Sequence, residues 1–308
     1  MEITKTVGFV GLGAMGAPMA ARILGAGFDL LAYDIDPIRM QAFGSKFGHQ
    51  RCVDLMTMAN RSEVVCMILP NSQVVESVLF GSHGMAGHLR SGSLVIDMTS
   101  GVAGHTRRMH ARLKQQGIDL IDAPVSGAVA RAELGTLAIM TGGPQEIVER
   151  AKPVLQTMGT IYPTGKIGTG HAMKALNNLV SCAGFLIGIE ALLIGCRQGL
   201  DPTTMVEILS VSTGTNNSVE KKFRQYVLSR KFDSGFPLHM MLKDIENALQ
   251  LADEHNVPAP YARLCLQLWR MGRNMLGPNV DHTAIAMAQE RLAGFVISQD
   301  DIPQEPRR

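Results

Sequence analysis

Gly11, Gly13 and Gly16 stand at the spacing G-x-G-x-x-G, and the chemistry of that spacing is to hold a pyrophosphate. The first glycine allows a tight turn, the second lets the backbone approach the phosphates, and the third lets a helix pack closely on the preceding strand. Leu12, Ala14 and Met15 fill the loop, where N–H groups at the start of a helix can receive the anion. Asp34 follows 23 residues after Gly11, at the end of the next apolar run. A carboxylate there accepts from both hydroxyls of an adenosine ribose and repels a 2′-phosphate, which favours NAD over NADP. Asp36 either contributes to the same task or caps a helix from Pro37, and Arg39 is the residue that would meet a 2′-phosphate.

A second group of residues offers acid–base chemistry. Lys174 and Asn178 are four apart in a helical stretch and project from one side, with His171 three before the lysine and loosely on the same face. A lysine on an apolar helix is often only a snorkelling surface group, and its ordinary pKa of ~10.4 suits it poorly to act as a base. Ser126-Gly127 follows an apolar run that ends in Asp122-Ala123-Pro124. A hydroxyl beside backbone donors suits a carboxylate; the plain alternative is a Pro/Ser/Gly turn.

The elements that must position these groups alternate. Val7–Val10, Asp29–Tyr33, Val64–Leu69, Leu94–Ile96, Ile118–Ile121 and Leu137–Met140 read as strands. Helical stretches lie between many of them, at Ala14–Ala26, Pro37–Phe43, Gln73–Leu79 and Gly104–Gln116. That alternation predicts a mostly parallel sheet covered on both faces. Beyond Tyr162-Pro163 the pattern turns helical, beginning with a long stretch from His171 to Gln198 and continuing through Thr203–Ser210, Asn217–Ser229, Leu238–His255, Ala259–Gly272 and His282–Gln289. The expected division is residues 1–165 as the dinucleotide-binding domain and 166–308 as an all-helical domain. The polar tail from Ser298 to Arg308 is expected to fray or lie over a neighbour.

Composition narrows the classes. Of 308 residues, 46% are hydrophobic and 18% charged, and the net charge of +2 gives no electrostatic case for nucleic acid or an anionic membrane. The chain opens on Met1–Lys5 and a strand pattern rather than a basic-apolar leader, and its apolar stretches read as short of the roughly 20 residues that span a bilayer. Five scattered cysteines without a CxxC pair suit a reducing, cytoplasmic setting. His49, His83, His88, His105, His110 and His282 form no metal-ligand spacing with them, so no metal is expected. Gly184, Gly188 and Gly195 make a small-residue stripe that is expected to bury part of the helical domain against another subunit.

Four segments together resemble the β-hydroxyacid dehydrogenase family, whose members include 3-hydroxyisobutyrate dehydrogenases, tartronate semialdehyde reductases and L-threonate dehydrogenases. They are VGFVGLGAMG at Val7–Gly16, DAPVSG at Asp122–Gly127, GTGHAMKALNN at Gly168–Asn178, and Lys243-Asp244. The likeness runs from Val7 to about residue 295. It implies an N-terminal Rossmann-type NAD domain and an all-helical domain joined by a long helix, with the active site between them, and assembly as a homodimer or homotetramer. By that likeness Lys174 is the catalytic acid/base, Asn178 holds substrate or the reacting oxygen, and Ser126 and Gly127 grip the substrate carboxylate. Lys243 lies near nicotinamide and the reacting centre, Asp244 organises its helix, Leu69-Pro70 line the adenine side, and Thr99 approaches the nicotinamide ribose. Two positions depart from the family pattern, Ala128 where many relatives carry glycine and Ile245 where leucine is common.

The reaction so implied moves a hydride between a small β-hydroxy acid and nicotinamide. The polar run Ser212–Ser218 either walls the substrate or caps a helix. As a wall it favours a polyhydroxy acid such as threonate or glycerate over the methyl-branched 3-hydroxyisobutyrate. A non-catalytic cofactor-binding module and an imine reductase are the competing classes, and Lys174 argues against both.

Overall fold

The structure, a computed structural model, describes residues 6–297. The tail for which fraying was expected lies outside the described residues. Two compact units divide between Lys174 and Ala175.

The first unit is an eight-stranded sheet. β1 (Thr6–Val10), β2 (Asp29–Tyr33), β3 (Val64–Met67), β4 (Leu94–Asp97) and β5 (Asp119–Asp122) run parallel in the order β2-β1-β3-β4-β5. β6 (Val125–Ser126) and β7 (Leu137–Gly142) pair antiparallel with each other, and β7 meets β5 antiparallel. β8 (Gly159–Gly165) then lies parallel to β7. Helices α1 (Gly16–Gly25), α2 (Pro37–Phe47), α3 (Leu55–Arg61), α4 (Ser72–Phe80), α5 (Ala103–Lys114), α6 (Ala128–Leu134) and α7 (Gln145–Leu155) connect the strands. Alternate strand residues feed two separate cores. Val7, Phe9, Cys66, Leu94, Ile96 and Ile121 pack on one side, and Val10, Val65, Met67, Val95 and Leu120 on the other. Burial on both faces explains why these strands read as continuous apolar runs rather than alternating ones.

The second unit is helical among the described residues. α8 (Thr169–Arg197) begins in the first unit and continues into the second, followed by α9 (Pro202–Val211), α10 (Leu238–Glu254), α11 (Pro260–Leu276) and α12 (Ile285–Ala293). Between α9 and α10, Val219–Leu228 is a π-helix where sequence periodicity predicts an ordinary helix over Asn217–Ser229. Val219, Phe223 and Val227 are its buried residues, and this spacing of four is kept in line by turns wider than those of an α-helix. Phe223 stacks on Phe185 of α8 at 5.2 Å between ring centroids.

Two sequence expectations are corrected here. α8 is long and apolar enough to cross a membrane by length and composition, whereas the apolar stretches read as too short. Half of its most apolar window is buried inside the fold, which is where that hydropathy is used. The glycine stripe also points inward rather than toward another subunit. A Cβ on Gly188 would stand 2.5 Å from the Phe223 ring, and one on Gly195 would stand 2.3 Å from the Met205 thioether. The exposed apolar line on α8 is instead Val180, Ile187 and Ile194, seven residues apart.

Candidate active site

The glycine loop leaves β1 at Gly11 and enters α1 at Gly16, two positions that exclude any side chain. Gly11 has φ +99°, and a Cβ there would lie 2.3 Å from the Ile68 carbonyl oxygen. A Cβ on Gly16 would lie 1.8 Å from the Gly11 carbonyl oxygen. No side chain caps α1 at Met15, and the Ala17 and Met19 amides are taken by the Gly13 and Met15 carbonyls, so a ligand of the loop would meet the amides ahead of them. Asp34, buried at the end of β2, accepts from Leu12 N at 2.6 Å through Oδ2 and from Asp36 N at 2.9 Å through Oδ1. Each carboxylate oxygen keeps a second lone pair for a ribose hydroxyl. Arg39 Nη1 stands 3.5 Å from Asp34 Oδ2, and Asp36 caps α2 by accepting from Ile38 N. This glycine cradle, helix start without a side-chain cap and buried acid fit a dinucleotide.

The next two strand ends are tied together. Thr99 is buried just after β4, and its Oγ1 accepts from Leu69 N, just after β3, at 3.1 Å. Pro70 continues that loop on the surface. Ser126 ends β6, Gly127 takes φ +143°, and Ala128 opens α6 with φ +57°. The left-handed region costs a residue with a Cβ about 1–2 kcal/mol, so the departure at Ala128 places strain directly behind Ser126-Gly127. A Cβ on Gly127 itself would meet Arg131 Cδ at 2.6 Å.

Lys174 is half-buried on α8, and the start of that helix is fastened from a distance. Asp122, the last residue of β5, accepts from Gly168 N at 2.7 Å through Oδ1 and from His171 N at 2.8 Å through Oδ2. It caps the start of the helix from a distance. Sequence reasoning missed this function, although Asp122 heads the DAPVSG segment. Gly170 is required by the same closeness, since a Cβ there would meet the Met140 carbonyl oxygen at 2.3 Å.

In the second unit, Asn178 is buried one turn along α8 from Lys174. Its Nδ2 donates to Asp244 Oδ2 at 2.5 Å, and Lys243 Nζ lies 3.5 Å from Asp244 Oδ1. Asp244 therefore does more than organise α10, because its carboxylate holds the amide of α8. Two side chains of the polar run Ser212–Ser218 are spent locally. Asn216 Oδ1 accepts from Ser218 N at 2.9 Å and Val219 N at 3.1 Å, and Thr215 Oγ1 bonds Glu220. Of the two readings of the run, the bonds of Asn216 support the helix cap. Nearby, His282 is packed beneath Lys222 and held well below an ordinary imidazole, at about 4, by burial and then by the Lys222 charge, against the opposing pull of Asp281.

Comparison with known proteins covers the described chain almost completely. Residues 6–170 match the NAD binding domain of 6-phosphogluconate dehydrogenase, and residues 168–288 match the NAD-binding domain of NADP-dependent 3-hydroxyisobutyrate dehydrogenase. A 2-(hydroxymethyl)glutarate dehydrogenase of Eubacterium barkeri is 36% identical over 97% of this chain and 99% of its own. An L-threonate dehydrogenase of Cupriavidus necator is 30% identical over 92% and 95%. Among solved structures, the Mycobacterium tuberculosis 3-hydroxyisobutyrate dehydrogenase with L-serine superposes with a TM-score of 0.84 at 26% identity, covering 93% of this chain and 99% of its own.

Proposed function

The chain belongs to the β-hydroxyacid dehydrogenase family and is an NAD-dependent oxidoreductase of small hydroxy acids, and from that premise we propose that its substrate is a β-hydroxy acid branched at the carbon bearing the carboxylate. The observation that carries this reading is the capping by Asn216. With Asn216 and Thr215 engaged at the start of the π-helix, the sequence argument for a polyhydroxy substrate loses weight. The names of two compared relatives supply the rest, because 2-(hydroxymethyl)glutarate and 3-hydroxyisobutyrate are both primary alcohols on a branched carbon next to a carboxylate.

In this reading Ser126 and the backbone at Gly127 take the carboxylate and fix its distance from the reacting carbon. Lys174 removes the hydroxyl proton during oxidation and returns it during reduction. Asn178 steadies the reacting oxygen, its amide oriented by Asp244. Lys243 adds positive charge near the reacting centre. Bound NAD supplies the hydride acceptor. Gly11, Leu12, Gly13, Ala14, Met15 and Gly16 hold its pyrophosphate, Asp34 its adenosine ribose, Leu69 and Pro70 its adenine side, and Thr99 the nicotinamide ribose. The exposed line Val180, Ile187 and Ile194 would be covered in a homodimer or homotetramer, which light scattering measures. All five cysteines are free thiols, in keeping with a cytoplasmic setting.

The deciding experiment is NAD⁺ reduction across C3 to C6 β-hydroxy acids, including 2-(hydroxymethyl)glutarate and both stereoisomers of 3-hydroxyisobutyrate and threonate. The branched acids are expected to lead in kcat/KM. A clear preference for threonate would return the substrate to the polyhydroxy class.

A further inference from the structure

A buried polar cluster in the first unit lies outside every role assigned so far. Asp97 ends β4, Thr106 sits on α5, and His171 is in the first turn of α8, each no more than 1% exposed. His171 Nδ1 lies 2.7 Å from Thr106 Oγ1. The Thr106 hydroxyl owns one proton and lies 3.2 Å from the Val102 carbonyl oxygen. With that proton given to Val102, Nδ1 is the donor toward Thr106. Nε2 then faces Asp97 Oδ2 at 3.8 Å, and both atoms are fully buried without a hydrogen-bond partner among the described residues. The other Asp97 oxygen accepts from Thr99 N at 3.0 Å. The space is closed, since a Cβ on Gly101 would stand 3.0 Å from His171 Cε1. Burial pushes the Asp97 carboxyl above its usual range, with the nearby His171 opposing.

Three anchors therefore meet at one residue. The His171 amide is taken by Asp122, one ring nitrogen by Thr106, and the other faces Asp97. First helical turns ordinarily fray because their amides lack partners. Here the first turn is fixed against β4, β5 and α5 at once, and residue 174 leaves the same helix face one turn later. A lysine has four rotatable side-chain bonds, so the direction of its Cα–Cβ bond is what the backbone can control.

We propose that His171 is a positioning residue for Lys174, its ring clasped between Thr106 and Asp97 so that the first turn of α8 is held in one rotation. The proposal rests on Lys174 being the acid–base group. It assigns work to a histidine that touches neither substrate nor cofactor.

The test uses the full chain with His171→Ala, His171→Asn and His171→Gln, each made also in a Lys174→Ala background. Asn keeps a donor where Nδ1 meets Thr106, and Gln keeps one where Nε2 faces Asp97. Calorimetric titration with NAD⁺ reports whether the first unit is intact. His171→Ala is expected to lower kcat by about 10–10²-fold, the scale of a small misplacement of a catalytic group. KM and the NAD⁺ dissociation constant should stay within about twofold. Asn or Gln should recover most of the loss, and His171→Ala should cost nothing further once Lys174 is gone. An equal loss in both backgrounds, wild-type kcat in His171→Ala, or NAD⁺ binding lost in all three variants would overturn the proposal. Near-wild-type turnover in Lys174→Ala alone would instead remove the acid–base reading, and the positioning role with it.

Discussion

The two units build polar sites by opposite means. In the first unit the chain makes its cofactor loop from backbone. Gly11 and Gly127 take conformations that side chains avoid, Gly16 admits a carbonyl where a Cβ would stand, and amides are offered at the start of a helix. In the second unit the site is made from side chains that find each other across the sequence, as Asn178 finds Asp244 at a separation of 66 residues. A backbone site is written in a short motif, and at Gly11 and Gly16 it leaves no room for a Cβ. A site of paired side chains is invisible to local spacing and fails by leaving one partner buried alone.

The largest test of that contrast is Lys174→Ala, on the last residue of the first unit. Turnover should fall by roughly 10²–10⁴-fold while calorimetry finds NAD⁺ affinity nearly intact. Gly11→Ala should do the reverse damage, because its Cβ would press on the Ile68 carbonyl. NAD⁺ binding is expected to weaken more than tenfold, with stability lowered by about 3 kcal/mol in denaturant titration. Asp244→Ala sharpens the comparison from the other side. It leaves the Asn178 amide buried without its acceptor and should destabilise the chain by about 1–3 kcal/mol. Turnover should drop while NAD⁺ affinity holds, and a loss of NAD⁺ affinity matching that of Gly11→Ala would break the division.

A smaller effect comes from His282. Its folded pKa of about 4 lies below the ordinary 6.5, so below about 6.5 the unfolded chain takes up a proton that the folded chain refuses. Its contribution to stability is whole above 6.5 and is lost as pH falls toward 4. Melting temperature followed across that window should decline, and His282→Gln should flatten the decline. The smallest effect is expected at Ala128, where glycine should raise stability by about 1 kcal/mol by relieving the left-handed backbone, visible as a slightly higher melting temperature.

What the sequence makes legible follows the same division. The parallel strands from β1 to β5 are visible because burial on both faces leaves unbroken apolar runs, and the order of motifs carries the cofactor loop. β8 is hidden because it is a half-exposed strand containing Pro163, with little hydrophobic signal. β6 is hidden because it spans two residues. Gly188 and Gly195 mark close packing, yet composition alone does not say whose side chain fills the space, and Phe223 and Met205 of the same chain do. The capping by Asp122 and Asn216 depends on three-dimensional proximity or on turn geometry that a run of polar letters does not distinguish from a binding wall.

The π-helix at Val219–Leu228 has a consequence for how this chain can change length over evolution. Each of its turns holds more residues than an α-helical turn, so trading one wide turn for an α-turn absorbs the loss of a residue inside a helix. The same deletion in α10 would rotate the buried residues beyond it by about 100° away from their core. Insertions and deletions in this lineage can therefore be stored within a helix rather than in the loops, where length variation is ordinarily sought.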